Sequence, residues 1–187
     1  MPKSRLFLAL VPEPGIIDLL SSAQASLKAL LDAYNIRWEN PAKFHMTLRF
    51  LGDIEDGRIH PMGDVLDRIK FGFEELRFDT FEIGFFPNRK YPNVVYAGFE
   101  ERSSNSAELI ESIDSIMLNF GVKPDKKFVP HITLGRFDRS KRKKLEEPVM
   151  PALPNAEAVF ESFSLMKSTL KQGGSEYTEI YKINFFK

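Results

Sequence analysis

A short pattern occurs twice in this chain: His45-Met46-Thr47-Leu48-Arg49-Phe50 returns 86 residues later as His131-Ile132-Thr133-Leu134-Gly135-Arg136-Phe137. Alternating polar and apolar side chains predict a half-buried β-strand at each place, because successive residues of a strand point to opposite faces. His45 and Thr47 then share one face, with Phe44, Met46, Leu48 and Phe50 behind them. His131 and Thr133 repeat that face in front of Ile132 and Leu134. Each strand presents an imidazole and a hydroxyl, about 7 Å apart, over an apolar back that must pack on a core. If the two halves of the chain are related by approximate two-fold symmetry, both polar faces converge on one cleft.

The rest of the sequence supplies that core. Ile16, Ile17, Leu19, Leu20, Ala23, Leu27, Leu30 and Leu31 recur at helical spacing between Pro14 and Tyr34. Met62, Val65, Leu66 and Ile69 predict a shorter helix, and Leu109, Ile110, Ile113, Ile116, Met117 and Phe120 a third that Gly121 ends. Strand-like runs lie at 5–10, 44–51, 76–85, 94–99, 130–137, 159–166 and 177–186. Pro148, Pro151 and Pro154 make the stretch from Glu147 to Asn155 an extended connector. Strands outnumber helices and do not alternate with them, which favours an α+β fold of antiparallel strands over a doubly wound parallel sheet. The length permits one domain or two lobes, and the internal echo favours two related lobes.

Composition removes several chemistries. With no cysteine there is no thiol nucleophile, thiolate metal site or disulfide. Lysine plus arginine and aspartate plus glutamate both number 26, so no global field draws a long polyanion, although a single phosphate can still be recognised locally. The apolar stretch from Leu6 to Val11 stops at Pro12-Glu13-Pro14, too short for the core of a signal sequence. No window approaches the roughly 18 apolar residues of a membrane span. The expectation is a soluble, cytoplasmic protein.

Two histidines in matching settings suit acid and base work at a phosphate. Imidazole titrates near neutrality, so one of a pair can be neutral, as base, while the other is charged, as acid. In-line displacement at phosphorus needs both at once, one to deprotonate water and one to protonate the departing sugar oxygen. Threonine hydroxyls can donate to the oxygens between them. The scheme calls for no metal, and the sequence holds no His-x-His, no HExxH and no spaced carboxylate ligands, so activity is expected to survive EDTA. The phosphate-binding loop, serine-hydrolase and dinucleotide motifs are also absent.

The segments Phe44 to Gly52 and Phe128 to Arg136, the opening strand Arg5 to Leu10 and the segment Gly173-Gly174-Ser175-Glu176-Tyr177 together resemble the two-histidine phosphoesterase superfamily. The match is closest to its RNA 2′,3′-cyclic phosphodiesterase branch, the 2′-5′ RNA ligase-like proteins, and covers almost the whole chain. The resemblance implies one two-lobed domain over residues 1–187, each lobe an antiparallel sheet with outer helices around a central cleft. It implies hydrolysis of a terminal RNA 2′,3′-cyclic phosphate to a 2′-phosphate without cofactor or metal. Carried over residue by residue, His45 and His131 are the catalytic pair, with His45 as acid and His131 as base, and Thr47 and Thr133 hold the phosphate. The partners are RNA 3′ ends or nucleotides bearing the cyclic phosphate. A monomer is expected, because the two lobes complete a site within one chain.

Arg136 matches a family arginine that contacts the phosphate. Strict alternation from His131 puts it on the wrong face unless Gly135 introduces a bulge, whereas Arg49 has the correct parity. Both stay candidates, with Arg136 ranked first. Phe7 and Tyr177 are candidates for stacking a base, against a competing role in packing. His60 has no Thr partner and reads as a surface residue. The run Arg139 to Lys144 reads as a solvated turn that could also draw RNA towards the cleft. Conventional ligation needs a KxDG lysine that the chain lacks, which leaves ATP-independent joining by reversal, or an idle RNA-end binder, as the alternatives.

Overall fold

Alternation of apolar and polar residues makes most of this chain strand. In the computed structural model the described residues are 1–103, 105–124, 127–141, 143–146, 149–172 and 174–186, without the side chains of 70 and 71. Arg142 of the basic run, Glu147 and Pro148 of the connector and Gly173 of the glycine pair lie outside them. The strands are β1 (Lys3–Leu10), β2 (Ile36–Trp38), β3 (Met46–Glu55), β4 (Leu76–Phe86), β5 (Val94–Glu101), β6 (His131–Phe137), β7 (Glu157–Phe160), β8 (Ser162–Lys171) and β9 (Gly174–Asn184). The helices are α1 (Pro14–Leu30), α2 (Ile59–Leu66) and α3 (Asn105–Leu118).

The strands form one sheet in the order β7-β4-β5-β6-β3-β1-β8-β9, with β2 on the edge of β6, and every pairing is antiparallel. The sheet falls into two halves, β7-β4-β5-β6 and β3-β1-β8-β9, joined between β6 and β3 by the pair Met46 and Ile132. A single residue, Glu161, links β7, the edge strand of one half, to β8, next to the edge of the other, so the sheet curls. That residue corrects the expectation of one strand over 159–166: Phe160 and Phe163 are both buried, but they serve different halves. β2 is too short to carry a periodic signal and is absent from the sequence reading.

Helix faces follow their apolar stripes. α1 starts with Pro14, whose missing N–H costs nothing at that position, and buries Ile16, Leu20, Gln24 and Leu27 along one side. It ends at Leu30, short of Tyr34. α3 buries Leu109, Ile110, Ile113 and Met117, and Gly121 closes its end with a φ of 77° while Val122 N–H returns to the Met117 carbonyl at 3.1 Å. The core thus lies between the helices and the face of the sheet that carries Leu6, Leu8, Leu10, Met46 and Ile132. The opposite, concave face is left for polar groups. Among the described residues no helix is long and apolar enough to cross a membrane.

Candidate active site

The site grows from the pair that joins the halves. Met46 and Ile132 stand opposite each other with both side chains fully buried, so their neighbours in sequence point to the concave face. Antiparallel register through this pair sets His45 across from Thr133 and Thr47 across from His131. Each half therefore faces its histidine towards the other half's threonine.

Both imidazoles are held the same way. Nδ1 of His45 lies 2.7 Å from the Lys43 carbonyl, and Nδ1 of His131 lies 2.7 Å from the Val129 carbonyl. A carbonyl only accepts, so Nδ1 carries the proton in both rings and Nε2 is left to give or take one. Each ring is also framed by a Phe and a Tyr of its own half. His45 lies 5.0 Å from the rings of Phe7 and Tyr177. His131 lies 5.0 Å from Phe86 and 5.4 Å from Tyr96, which stack on each other at 4.2 Å. Burial among these rings is the main cause that holds both histidines below the ordinary value of 6.5, and the carbonyl contact only partly opposes it.

A matched irregularity decides which arginine enters the cleft. In β6, Gly135 and Thr133 face consecutive residues Val95 and Tyr96, so Leu134 is an extra residue. In β3, Arg49 and Thr47 face consecutive residues Leu8 and Ala9, so Leu48 is an extra residue too. Each bulge reverses parity beyond it. Arg136 returns to the concave face, where its positive charge bears on His45, His131 and Tyr177. The expectation for Arg49 is corrected by the same device: it sits beside Leu8 on the core side and grips Asp114 of α3 at 2.7 and 2.8 Å. Phe50, 61% exposed, occupies the place in β3 that Arg136 occupies in β6, opposite Phe7.

Two groups buttress the β6 bulge. Gln24, only 1% exposed, donates its side-chain amide to the carbonyls of Glu39 and Leu134 at 2.7 and 2.9 Å. Gly135 lets β2 approach, since a Cβ there would lie 2.7 Å from Ile36 and 2.9 Å from Trp38. Gly84 similarly makes room for Tyr96, whose ring would meet a Cβ at 2.2 Å.

Of the sequence candidates, the structure brings His45, Thr47, His131, Thr133, Arg136 and Tyr177 to one face. Phe7 joins them as a floor rather than a shelf, being 2% exposed under His45, Phe50 and Tyr177. His60 is exposed and pairs with Asp64 at 3.1 Å. In the basic run, Lys143 lies over the Tyr34 ring at 5.0 Å and Lys144 pairs with Glu146 at 3.8 Å. Phe86, Tyr96, Glu39 and Arg37 carry no motif that singles them out. Among the described residues no three His, Asp or Glu side chains group to hold a metal ion.

The family described as LigT-like phosphoesterase matches residues 10–96 and 100–177. An RNA 2′,3′-cyclic phosphodiesterase of Methanothermobacter thermautotrophicus is 30% identical over 181 residues, covering 95% of this chain and 97% of its own. One of Thermus thermophilus is 33% identical over 152 residues, covering 77% of this chain and 73% of its own. A crystal structure of a Thermus thermophilus protein superposes with a TM-score of 0.81 at 26% identity, covering 97% of both chains. The apo form of Escherichia coli LigT superposes at 0.79 over the full length of both chains, and at 20% identity it speaks for the fold alone.

Proposed function

The chain belongs to the LigT-like phosphoesterase family, and on that premise we propose that its cleft hydrolyses the 2′,3′-cyclic phosphate at the 3′ end of RNA to a 2′-phosphate. The observation that carries this reading is the pair of Nε2 atoms offered to one cleft by histidines whose Nδ1 protons are tied to carbonyls.

In the proposed step, Nε2 of His131 takes a proton from water as its oxygen bonds to phosphorus. The bond from phosphorus to O3′ breaks, and O3′ takes the proton held on Nε2 of His45. The products are a 2′-phosphate and a free 3′-hydroxyl. Thr47, Thr133 and Arg136 hold the non-bridging oxygens, where negative charge accumulates. Glu39 supports this polarity: its charge raises the proton affinity of His45, and no carboxylate is a cause of the shift at His131. Burial lowers the proton affinity of both histidines, so it is the anionic substrate that favours the charge on the acid. We take residues 1–187 as one two-lobed domain acting as a monomer in the cytoplasm.

The test is an EDTA-treated assay on nucleoside and oligonucleotide 2′,3′-cyclic phosphates, with phosphorus NMR locating the product phosphate. His45→Ala and His131→Ala should each lower the rate on the order of 10²-fold or more, as loss of general acid or base catalysis does. Absence of turnover would leave the cleft as a binder of RNA ends, and full activity in either variant would refute the assigned roles.

A further inference from the structure

Arg37 and Arg136 stand directly opposite each other across β2 and β6. Like charges at opposed positions of a sheet repel, and both side chains are exposed. Among the described residues neither guanidinium makes an ion pair. Their shared direction is fixed by the residues around them: Ile36 and Trp38 take the other face and flank Gly135. Both arginines therefore look onto the concave face that carries the histidines. Arg37 also reaches across it, with Nη1 3.9 Å from where a Cβ on Gly174 would sit, at the tip of the β8–β9 hairpin of the opposite half. At the same tip the Lys43 ammonium donates to the Ser175 carbonyl at 2.9 Å. Glu39 is the carboxylate whose charge falls on this corner, through Tyr177 and His45.

A cyclic phosphodiester brings one negative charge, and Arg136 answers it. A second guanidinium held in register beside the first, against their repulsion, asks for a second anion one step further from His131. On an RNA 3′ end that anion is the phosphate on O5′ of the same terminal nucleotide. We propose that Arg37 holds this 5′-phosphate, so that the substrate is the end of an RNA chain in preference to a free nucleoside cyclic phosphate. The inference rests on the reading of the cleft given above and deepens it.

The experiment compares adenosine 2′,3′-cyclic phosphate with the same molecule phosphorylated at O5′, and with a dinucleotide ending in the cyclic phosphate. Wild type should favour both phosphate-bearing substrates by about tenfold in kcat/KM, the scale of a charge-assisted contact. That advantage should shrink as salt rises. Arg37→Gln should bring the ratio close to one, and Arg37→Lys should restore part of it. A wild-type ratio near one, a ratio insensitive to salt, or a ratio that survives Arg37→Gln overturns the proposal. Calorimetry with adenosine 2′-phosphate and adenosine 2′,5′-bisphosphate reads the same ratio without turnover. Loss of hydrolysis therefore counts against the proposed activity, and equal affinities count against Arg37.

Discussion

Met46 lies directly opposite Ile132 where β3 meets β6, and both side chains are fully buried. The consequence reaches beyond packing. Each residue is the middle of a His-x-Thr triplet, so burying the two middles against one core turns four polar side chains to the opposite face. Carried one residue either way, the same antiparallel register crosses the triplets, setting His45 across from Thr133 and Thr47 across from His131. Each half of the sheet then contributes one imidazole, one hydroxyl, one Phe and one Tyr, and neither half alone holds both imidazoles.

Burial of neutral imidazole makes the site a liability in acid. His45 and His131 both titrate below 6.5 in the folded chain, mainly because burial disfavours the charged ring. Unfolding returns them to about 6.5, so below that value the unfolded chain binds protons that the folded chain refuses. Their contribution to stability is complete above pH 6.5 and is lost as pH falls through the folded values. Thermal melts should show Tm dropping from pH 7 to 5.5, above the carboxylate range, with inorganic phosphate reversing much of the drop. A wild-type Tm flat across that window, or one indifferent to phosphate, contradicts the assignment of cause.

Much of this is legible in the amino-acid sequence. Repetition of the His-x-Thr triplet located four of the side chains at the site, because strand parity needs nothing but alternation and a core to pack against. Parity fails beyond the triplets. Counting in twos puts Arg49 with His45 and Arg136 against His131, and both placements invert because Leu48 and Leu134 are extra residues. Gly135 hints at the second irregularity, while nothing around Leu48 announces the first. Phe86 and Tyr96 reach the site because β5 pairs with β6, Arg37 because β2 does, and Glu39 through its backbone bond to Leu134, all contacts between segments distant in sequence that no local pattern encodes.

Arg49 and Arg136 should therefore separate cleanly in mutants. Asp114→Ala removes the carboxylate that grips the Arg49 guanidinium at two points, in a region where the two side chains are 11% and 18% exposed. Stability should fall by about 3 kcal/mol, the lower end for breaking a buried pair, with little change in KM at a temperature where the variant is folded. Arg136→Ala should do the reverse, weakening binding of a 2′-phosphate product with a small change in Tm. Chemical denaturation and product titration on both variants decide the matter. A KM effect in Asp114→Ala as large as that in Arg136→Ala would return Arg49 to the cleft.

Gln24 is a buried amide whose role is set by two carbonyls from other elements, Glu39 and Leu134. Gln24→Leu fills the same space and removes both donors. The Leu134 carbonyl keeps the Glu39 N–H at 2.9 Å, so the Glu39 carbonyl bears most of the loss. The cost should be about 2 kcal/mol of stability, the usual penalty for a buried group left unpaired. Since the bulge also aims Arg136, affinity for inorganic phosphate should fall alongside. Denaturant melts and phosphate titration read the two effects, and an unchanged affinity in a destabilised variant would show that the bulge holds its shape without this buttress.

Glu39 offers a test of which histidine is the acid. Its negative charge favours the protonated form of His45, the ring assigned to deliver a proton to O3′. A bell-shaped profile of kcat/KM rises as the base loses its proton and falls as the acid loses its own. Glu39→Gln removes the support at His45 and lowers its proton affinity, so with His45 as acid kcat/KM should fall, most of all on the alkaline side, and rise at no pH. With the roles reversed the substitution would raise kcat/KM, most of all on the acidic side. Profiles of the variant and wild type at low ionic strength, where the interaction is least screened, distinguish the two polarities by the direction of the change.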